Sequence, residues 1–166
     1  MNSNKTLSNN VMAKKRTRKD TKLESEGAEF LVLGRLLLEK ITAFKTYTNF
    51  PGYDLIATSA NNNTSARIQV KSRFQTNWDG FIIKNFECDF VVLVTLNRGY
   101  SKPRKKGDTG IKEPDFYVFP ISYINEVRDP NNKWGKIVRN RLVDFEKFKD
   151  QWSLIATFLE SPVAEI

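Results

Sequence analysis

Asp54, Gln69 and Lys71 are the residues whose types and spacing could do chemistry together. Gln69 and Lys71 stand two apart in "SARIQVKSR" (65–73), where Ile68 and Val70 alternate with Arg67, Gln69, Lys71 and Arg73. Alternation of this kind predicts a half-buried strand, and residues two apart in a strand share a face. Asp54 lies in the preceding β-like stretch "YDLIATS" (53–59). If the two stretches pair as a hairpin in the obvious register, Asp54 comes beside Gln69. A carboxylate and an amide oxygen are both donors to a hard cation. A lysine nearby can orient a water molecule or stabilise charge developing on a phosphate. The layout suits metal-assisted hydrolysis of a phosphodiester.

Composition narrows the alternatives. The 166-residue chain has no histidine, which excludes His-based acid–base catalysis, Ser-His-Asp triads and His-containing zinc sites. Its single cysteine, Cys88, can supply neither a thiolate cage nor an internal disulfide. Any metal must then be held mainly by oxygen, which means Mg²⁺, Mn²⁺ or Ca²⁺. A net charge of +8 and a sequence pI near 9.6 favour a polyanionic partner. Nucleic acid comes first and an anionic membrane second, because no stretch joins an apolar helical face to a basic one. The bland alternative is that the excess lysine serves only solubility. No apolar run approaches a membrane span, the N-terminus has no signal-peptide stretch, and the lone cysteine suits a cytoplasmic setting.

The elements that must position these residues follow from pattern. Residues 1–20 are polar and then basic, and are expected to form a disordered arm, either a phosphate contact or a solvated tail. One domain is expected over 21–166. Thr21 with Glu24 fits a capping box, and apolar residues at helical spacing (Ala28, Leu31 and Val32; Leu33, Leu36 and Leu37) predict a helix ending near Lys40. "ITAFKTYTNF" (41–50) reads as a strand before the Pro51-Gly52 turn. The Asn-rich "ANNNT" then separates the hairpin strands. "GFIIK" (80–84) suggests a short strand, 85–88 a helical turn, and the nearly continuous apolar run 88–96 a central strand covered on both faces. A long basic loop (97–114) precedes a strand at "DFYVFP" and a short helix at "ISYINEVR". Phe145, Phe148, Trp152, Ile155 and Leu159 form one apolar stripe and predict a closing helix over 144–160. The sum is an α/β domain, a mixed sheet flanked by helices.

At "GYDLIA" followed by "RIQVKSR" the sequence resembles the PD-(D/E)xK nuclease superfamily, which includes many restriction enzymes and the archaeal Holliday-junction resolvases. The likeness runs over roughly residues 24–96, with a weaker one in "DFYVFP" and "KDQWSLI". It implies a restriction-endonuclease-like αβββαβ core. Asp54 matches the metal-binding aspartate, with Gly52-Tyr53 where the family often has a proline, and Lys71 matches the lysine. Glu29, in "EGAEFLVLGRLL", matches the acid that many members carry on the first helix. Gln69 stands where the family usually has Glu or Asp. Gln-x-Lys versions occur among active members, including some intron-encoded homing endonucleases. The resemblance implies a Mg²⁺-dependent (or Mn²⁺-dependent) DNA endonuclease, with Asp54, Gln69 and Glu29 at the metal and Lys71 at the phosphate. The loss of one carboxylate at Gln69 lowers the expected metal affinity, which Glu29 or Glu26 would have to restore. It also keeps open a catalytically inactive DNA-binding module or subunit of a larger complex, and an RNA-directed nuclease is a third alternative.

Each residue also has a structural alternative. Asp54 could cap the turn after Pro51-Gly52, although aspartate is disfavoured in strands. Gln69 could be a solvent-facing filler, Lys71 one member of a basic sheet face, and Glu29 an exposed helix residue. Glu26 suits the helix dipole. Arg67, Ser72 and Arg73 are expected near the site as phosphate contacts. Lys102, Arg104, Lys105 and Lys106 form a candidate DNA clamp, with a solvated loop as the alternative. Trp78 and Tyr100 could stack on bases or pack structurally, Asp89 is expected to be structural, and Trp134 and Trp152 are expected in the core. Cutting two strands with small subunits implies a homodimer or larger symmetric oligomer.

Overall fold

The computed structural model describes residues 21–47, 52–61, 63–102 and 104–161. The expected N-terminal arm, 1–20, lies outside them. A helix, α1 (Lys22–Leu38), leads into three strands, β1 (Thr42–Lys45), β2 (Leu55–Thr58) and β3 (Ser65–Arg73). After β4 (Gly80–Ile82) come the central strand β5 (Phe90–Thr95) and β6 (Asp115–Pro120). Helix α2 (Ile121–Val127), strand β7 (Lys136–Val138) and helix α3 (Ser153–Glu160) complete the chain. The main sheet runs in the order β1-β2-β3-β5-β6, and β4 pairs with β7 as a separate two-stranded ribbon. β3 and β5 are parallel and the other neighbours antiparallel, which makes the sheet mixed as expected.

Alternation decides what each face of the sheet covers. Ala66, Ile68 and Val70 of β3 join Val92 and Val94 of β5 in one core, closed by Ala28, Val32 and Leu36 of α1 and by Trp152, Ile155 and Leu159. Val91 and Leu93 face the other way, into a second core with Phe81, Ile83, Tyr117 and Phe119. All six residues of β5 are therefore buried, because both of its faces are covered. A buried aliphatic or aromatic side chain contributes roughly 1.5–3 kcal/mol, so the strands that carry the site rest on two packed layers.

Four expectations fail for identifiable reasons. Thr21 precedes α1 without a side-chain capping bond. Residues 85–88 form no helical turn: the Glu87 N–H donates to Asn85 Oδ1 (2.7 Å), an Asx-type turn that diverts the backbone from helix. The closing helix is also broken. Asp144 and Asp150 both take φ near +52°, so a 3₁₀ turn at Phe145–Phe148 is separated from α3. The apolar stripe divides accordingly. Phe145 and Phe148 pack beneath Tyr117 and Phe119, while Trp152, Ile155 and Leu159 enter the α1 core. The chain passes between the two faces at Lys149, which bridges to Tyr117 on the edge strand β6. Lastly, Trp134 is 76% exposed and is not a core residue, whereas Trp78 and Trp152 are buried. No described helix is long and apolar enough to cross a membrane.

Candidate active site

The hairpin register is the one the sequence suggests. Leu55 pairs with Ile68 and Ile56 with Arg67, so one further step sets Asp54 opposite Gln69. The Asp54 backbone is fixed at both groups. Its N–H donates to Ile68 O (2.9 Å), and its carbonyl accepts from the N–H (3.0 Å) and Oγ1 (2.9 Å) of Thr46. One carboxylate oxygen, Oδ2, accepts the Val70 N–H at 2.7 Å. The side chain thus takes the place of a backbone ladder partner just before β2 begins.

Gln69 is almost fully buried at 6% exposure. Its Nε2 donates to Gly52 O at 2.9 Å. A carbonyl only accepts, so this bond dictates which end of the amide faces Gly52. The other end, Oε1, is buried and carries no hydrogen bond. Leaving a buried acceptor unsatisfied costs about 1–3 kcal/mol. Gly52 itself has φ +107°, and a Cβ there would come within 3.0 Å of the Asn85 side chain, so the turn that holds Gln69 requires glycine.

Lys71 lies two residues on, with Gln69 beside Val91 and Lys71 beside Leu93 across the parallel pair. Burial lowers its ammonium below the ordinary lysine range, against the pull of Asp54, Cys88 and Glu29. Glu29 enters from α1. Burial raises its carboxyl and the charge of Asp54 adds to that, while Lys45 opposes both. Glu29 Oε2 takes the Lys45 ammonium, which also pairs with Glu26 Oε1 at 2.9 Å. Glu26 is therefore an ion-pair partner as well as a helix-terminal charge. Burial works against the Lys45 charge, but the two glutamates hold its ammonium above the ordinary lysine range.

Asp54 thus lies opposite Gln69 at the end of the hairpin, and the charges of Asp54 and Glu29 both act on Lys71, Glu29 from the α1 face of the sheet and Lys71 from the other. Among the described residues no group of three or more His, Cys, Asp or Glu converges as a metal cluster. The Asp54 and Glu29 carboxylates and the Gln69 amide oxygen are donors of the kind a hard divalent cation takes. Lys45 was not anticipated, yet β1 contains a signal for it: Ala43 is buried, and Lys45 shares its face by alternation.

The candidate phosphate contacts divide. Arg67 is clamped by Asp89, through its backbone N–H (2.7 Å) and its guanidinium (3.1 Å), which gives Asp89 the structural role expected of it. Arg73 pairs with Asp79 at 3.2 Å. Alternation sets Ser72 on the side of Val70, away from Lys71. Lys102, Arg104, Lys105 and Lys106 are exposed in the long loop, where Arg104 covers the Tyr100 ring at 3.7 Å. Bonds between Asn77 and Ser101 tie that loop to the segment following β3.

No protein-family model matches the chain, and no similar sequence is found among curated proteins. Among solved structures, the chain is similar to one described as that of a bacterial homing endonuclease, I-Ssp6803I. The TM-score is 0.51 at 18% identity, over 83% of this chain and 93% of the other. At that identity the likeness is one of fold, an endonuclease-like mixed sheet flanked by helices.

Proposed function

We propose that the chain is a Mg²⁺- or Mn²⁺-dependent DNA endonuclease of the PD-(D/E)xK type. The observation that carries this is the Gln69 amide oxygen, buried without a partner beside the Asp54 carboxylate. A cation would satisfy an acceptor that the fold leaves unpaired, and this one, unlike the orphaned Arg35 Nε and Trp152 Nε1, is an oxygen. The fold neighbour, described as a homing endonuclease, supports the same class.

Asp54, Gln69 and Glu29 would hold the metal, through Asp54 Oδ1, Gln69 Oε1 and the Glu29 oxygen not bonded to Lys45. Bound there, a divalent cation would supply Lewis-acid polarisation of the phosphate and of water. Asp54 and Gln69 are pre-set by their bonds to Val70 and Gly52, so ordering them costs little on binding. Lys71 orients the attacking water or steadies the charge that develops on the phosphate as its bond to the leaving oxygen breaks. Lys102, Arg104, Lys105 and Lys106 supply charge to the DNA backbone. Two such sites, in a homodimer or larger symmetric assembly, would cut two strands.

The test is incubation of supercoiled plasmid and branched DNA with Mg²⁺ or Mn²⁺, wild type beside Asp54→Ala and Lys71→Ala. Cutting by wild type and loss of it, by about 10³-fold, in both variants is the expected result. That no three acids converge among the described residues favours a second reading, a nuclease-fold DNA-binding module. Binding without cutting under either metal would establish that reading instead.

A further inference from the structure

The β4–β7 ribbon has an outward face that the proposed site does not use. Ile82 pairs with Lys136 and Phe81 with Ile137. The ladder continues one step, with Ile83 N–H donating to Gly135 O at 2.9 Å. Phe81, Ile83 and Ile137 face inward and are buried. By alternation Ile82, Lys84, Trp134 and Lys136 face outward, and Lys84 falls opposite Trp134. Gly135 locks this end: its φ is +64°, and a Cβ would lie 1.9 Å from Ile83 O.

The outward face joins a large exposed aromatic ring to positive charge. Trp134 is 76% exposed and Ile82 48%. Exposed Lys84 and Lys133 carry no ion pair among the described residues. A groove of about 510 Å³ beside the ring is lined by Lys84, Phe86, Arg128, Lys133, Trp134 and Lys136, among others. Arg128 stacks on Phe86 at 4.6 Å, and the one acid of the groove, Asp129, is already paired with Arg141 at 3.6 Å. A ring and unpaired cations together match a sugar–phosphate backbone with exposed base edges.

Position favours the same ligand as the site. Val91 and Leu93 lie in the core beneath the ribbon and are strand neighbours of Gln69 and Lys71. The segment leaving the ribbon brings Asn85 against Gly52, whose carbonyl holds Gln69. We propose that this outward face is a second contact to double-stranded DNA, in which Trp134 packs on the sugar–base surface and Lys84 and Lys133 meet phosphates. The proposal rests on the nuclease reading and adds where the duplex lies. A two-stranded ribbon is narrow enough for the major groove.

The test measures binding of a duplex of about 30 base pairs in EDTA, so that nothing is cut, and spans at least one helical turn on either side of the ribbon. Trp134→Ala should weaken binding by at least about fivefold and Trp134→Phe should recover most of it, since the contact is apolar packing on the sugar surface. Lys84→Gln with Lys133→Gln should lower the log–log salt slope by about two. DNA should also shield wild type from acrylamide quenching, since Trp78 and Trp152 are buried and Trp134 is the accessible reporter. Both variants change exposed side chains, so melting curves like that of wild type are expected. Unchanged affinity and slope, with cutting still dependent on Asp54 and Lys71, would overturn the ribbon contact and leave the nuclease standing. Trp134→Ala that lowers the sedimenting mass but not the affinity would assign the face to self-association. No duplex binding by wild type, either in EDTA or with Ca²⁺ in its place, would overturn both.

Discussion

Gln69 concentrates the argument at the scale of a single residue. Replacing it with glutamate adds a charge at a buried position opposite Asp54, which itself acts on Glu29. Burial and those neighbours would raise the folded pKa of the new carboxyl above its unfolded value. The penalty is therefore absent below the unfolded pKa, grows as pH rises from the unfolded to the folded pKa, and is complete above the folded one. Gln69→Glu should melt below wild type at pH 8 and close to it at pH 4 in EDTA, and should gain more in Tm on addition of Mg²⁺ than wild type does. Glu29 gives a related prediction. Burial and Asp54 raise its carboxyl, so protons compete with a cation there at higher pH than at an ordinary glutamate. Mg²⁺ affinity measured by calorimetry should fall on acidification more steeply in wild type than in Glu29→Gln, and the fall should begin at a higher pH than at an ordinary glutamate. Much of this neighbourhood was legible beforehand, because two-residue spacing and a hairpin dictate which side chains share a face. The bond from Gln69 to Gly52 was not, since it depends on where a turn with φ +107° carries a carbonyl.

Between elements, Asp115 ties the long loop and the closing segment to β6. It pairs with Lys112 at 2.7 Å and Lys149 at 2.6 Å, and accepts from Asn97 Nδ2 at 2.9 Å. Burial alone would raise its carboxyl, but these donors overcome it and hold it at about 2. A depressed folded pKa stabilises above the unfolded value, near 3.9, and the benefit drains away as pH falls toward 2. Asp115→Asn should cost about 2 kcal/mol at pH 7 by urea denaturation, and much less near pH 2. β6 and α2 keep nearly the bounds their sequence suggests, because period and burial agree there. The closing helix does not: its stripe has helical spacing, yet two aspartates adopt left-handed backbone and send its halves to different cores. Periodicity reports which residues are buried, without saying under which layer.

For the whole molecule, charge is the dominant variable. With 27 basic and 19 acidic residues, duplex binding should weaken steeply with salt. Neutralising one phosphate-contacting lysine among Lys102, Lys105 and Lys106 should reduce the log–log slope by about one, read by titration at several salt concentrations. The basic composition is what makes a polyanionic partner the first expectation. Trp134 escaped, because an aromatic residue next to a glycine in a polar stretch has no period to betray its exposure.

The crossing at Lys149 has a mechanical consequence. Residues 145–148 belong to one packed layer and 152–159 to the other, and the link between them bends around the β6 edge. Loosening either layer slackens a cord anchored in its counterpart, so the two cannot melt independently. Heat should dissolve this protein in a single calorimetric transition, and a chain ended at residue 144 should lose order on both sides of the sheet at once.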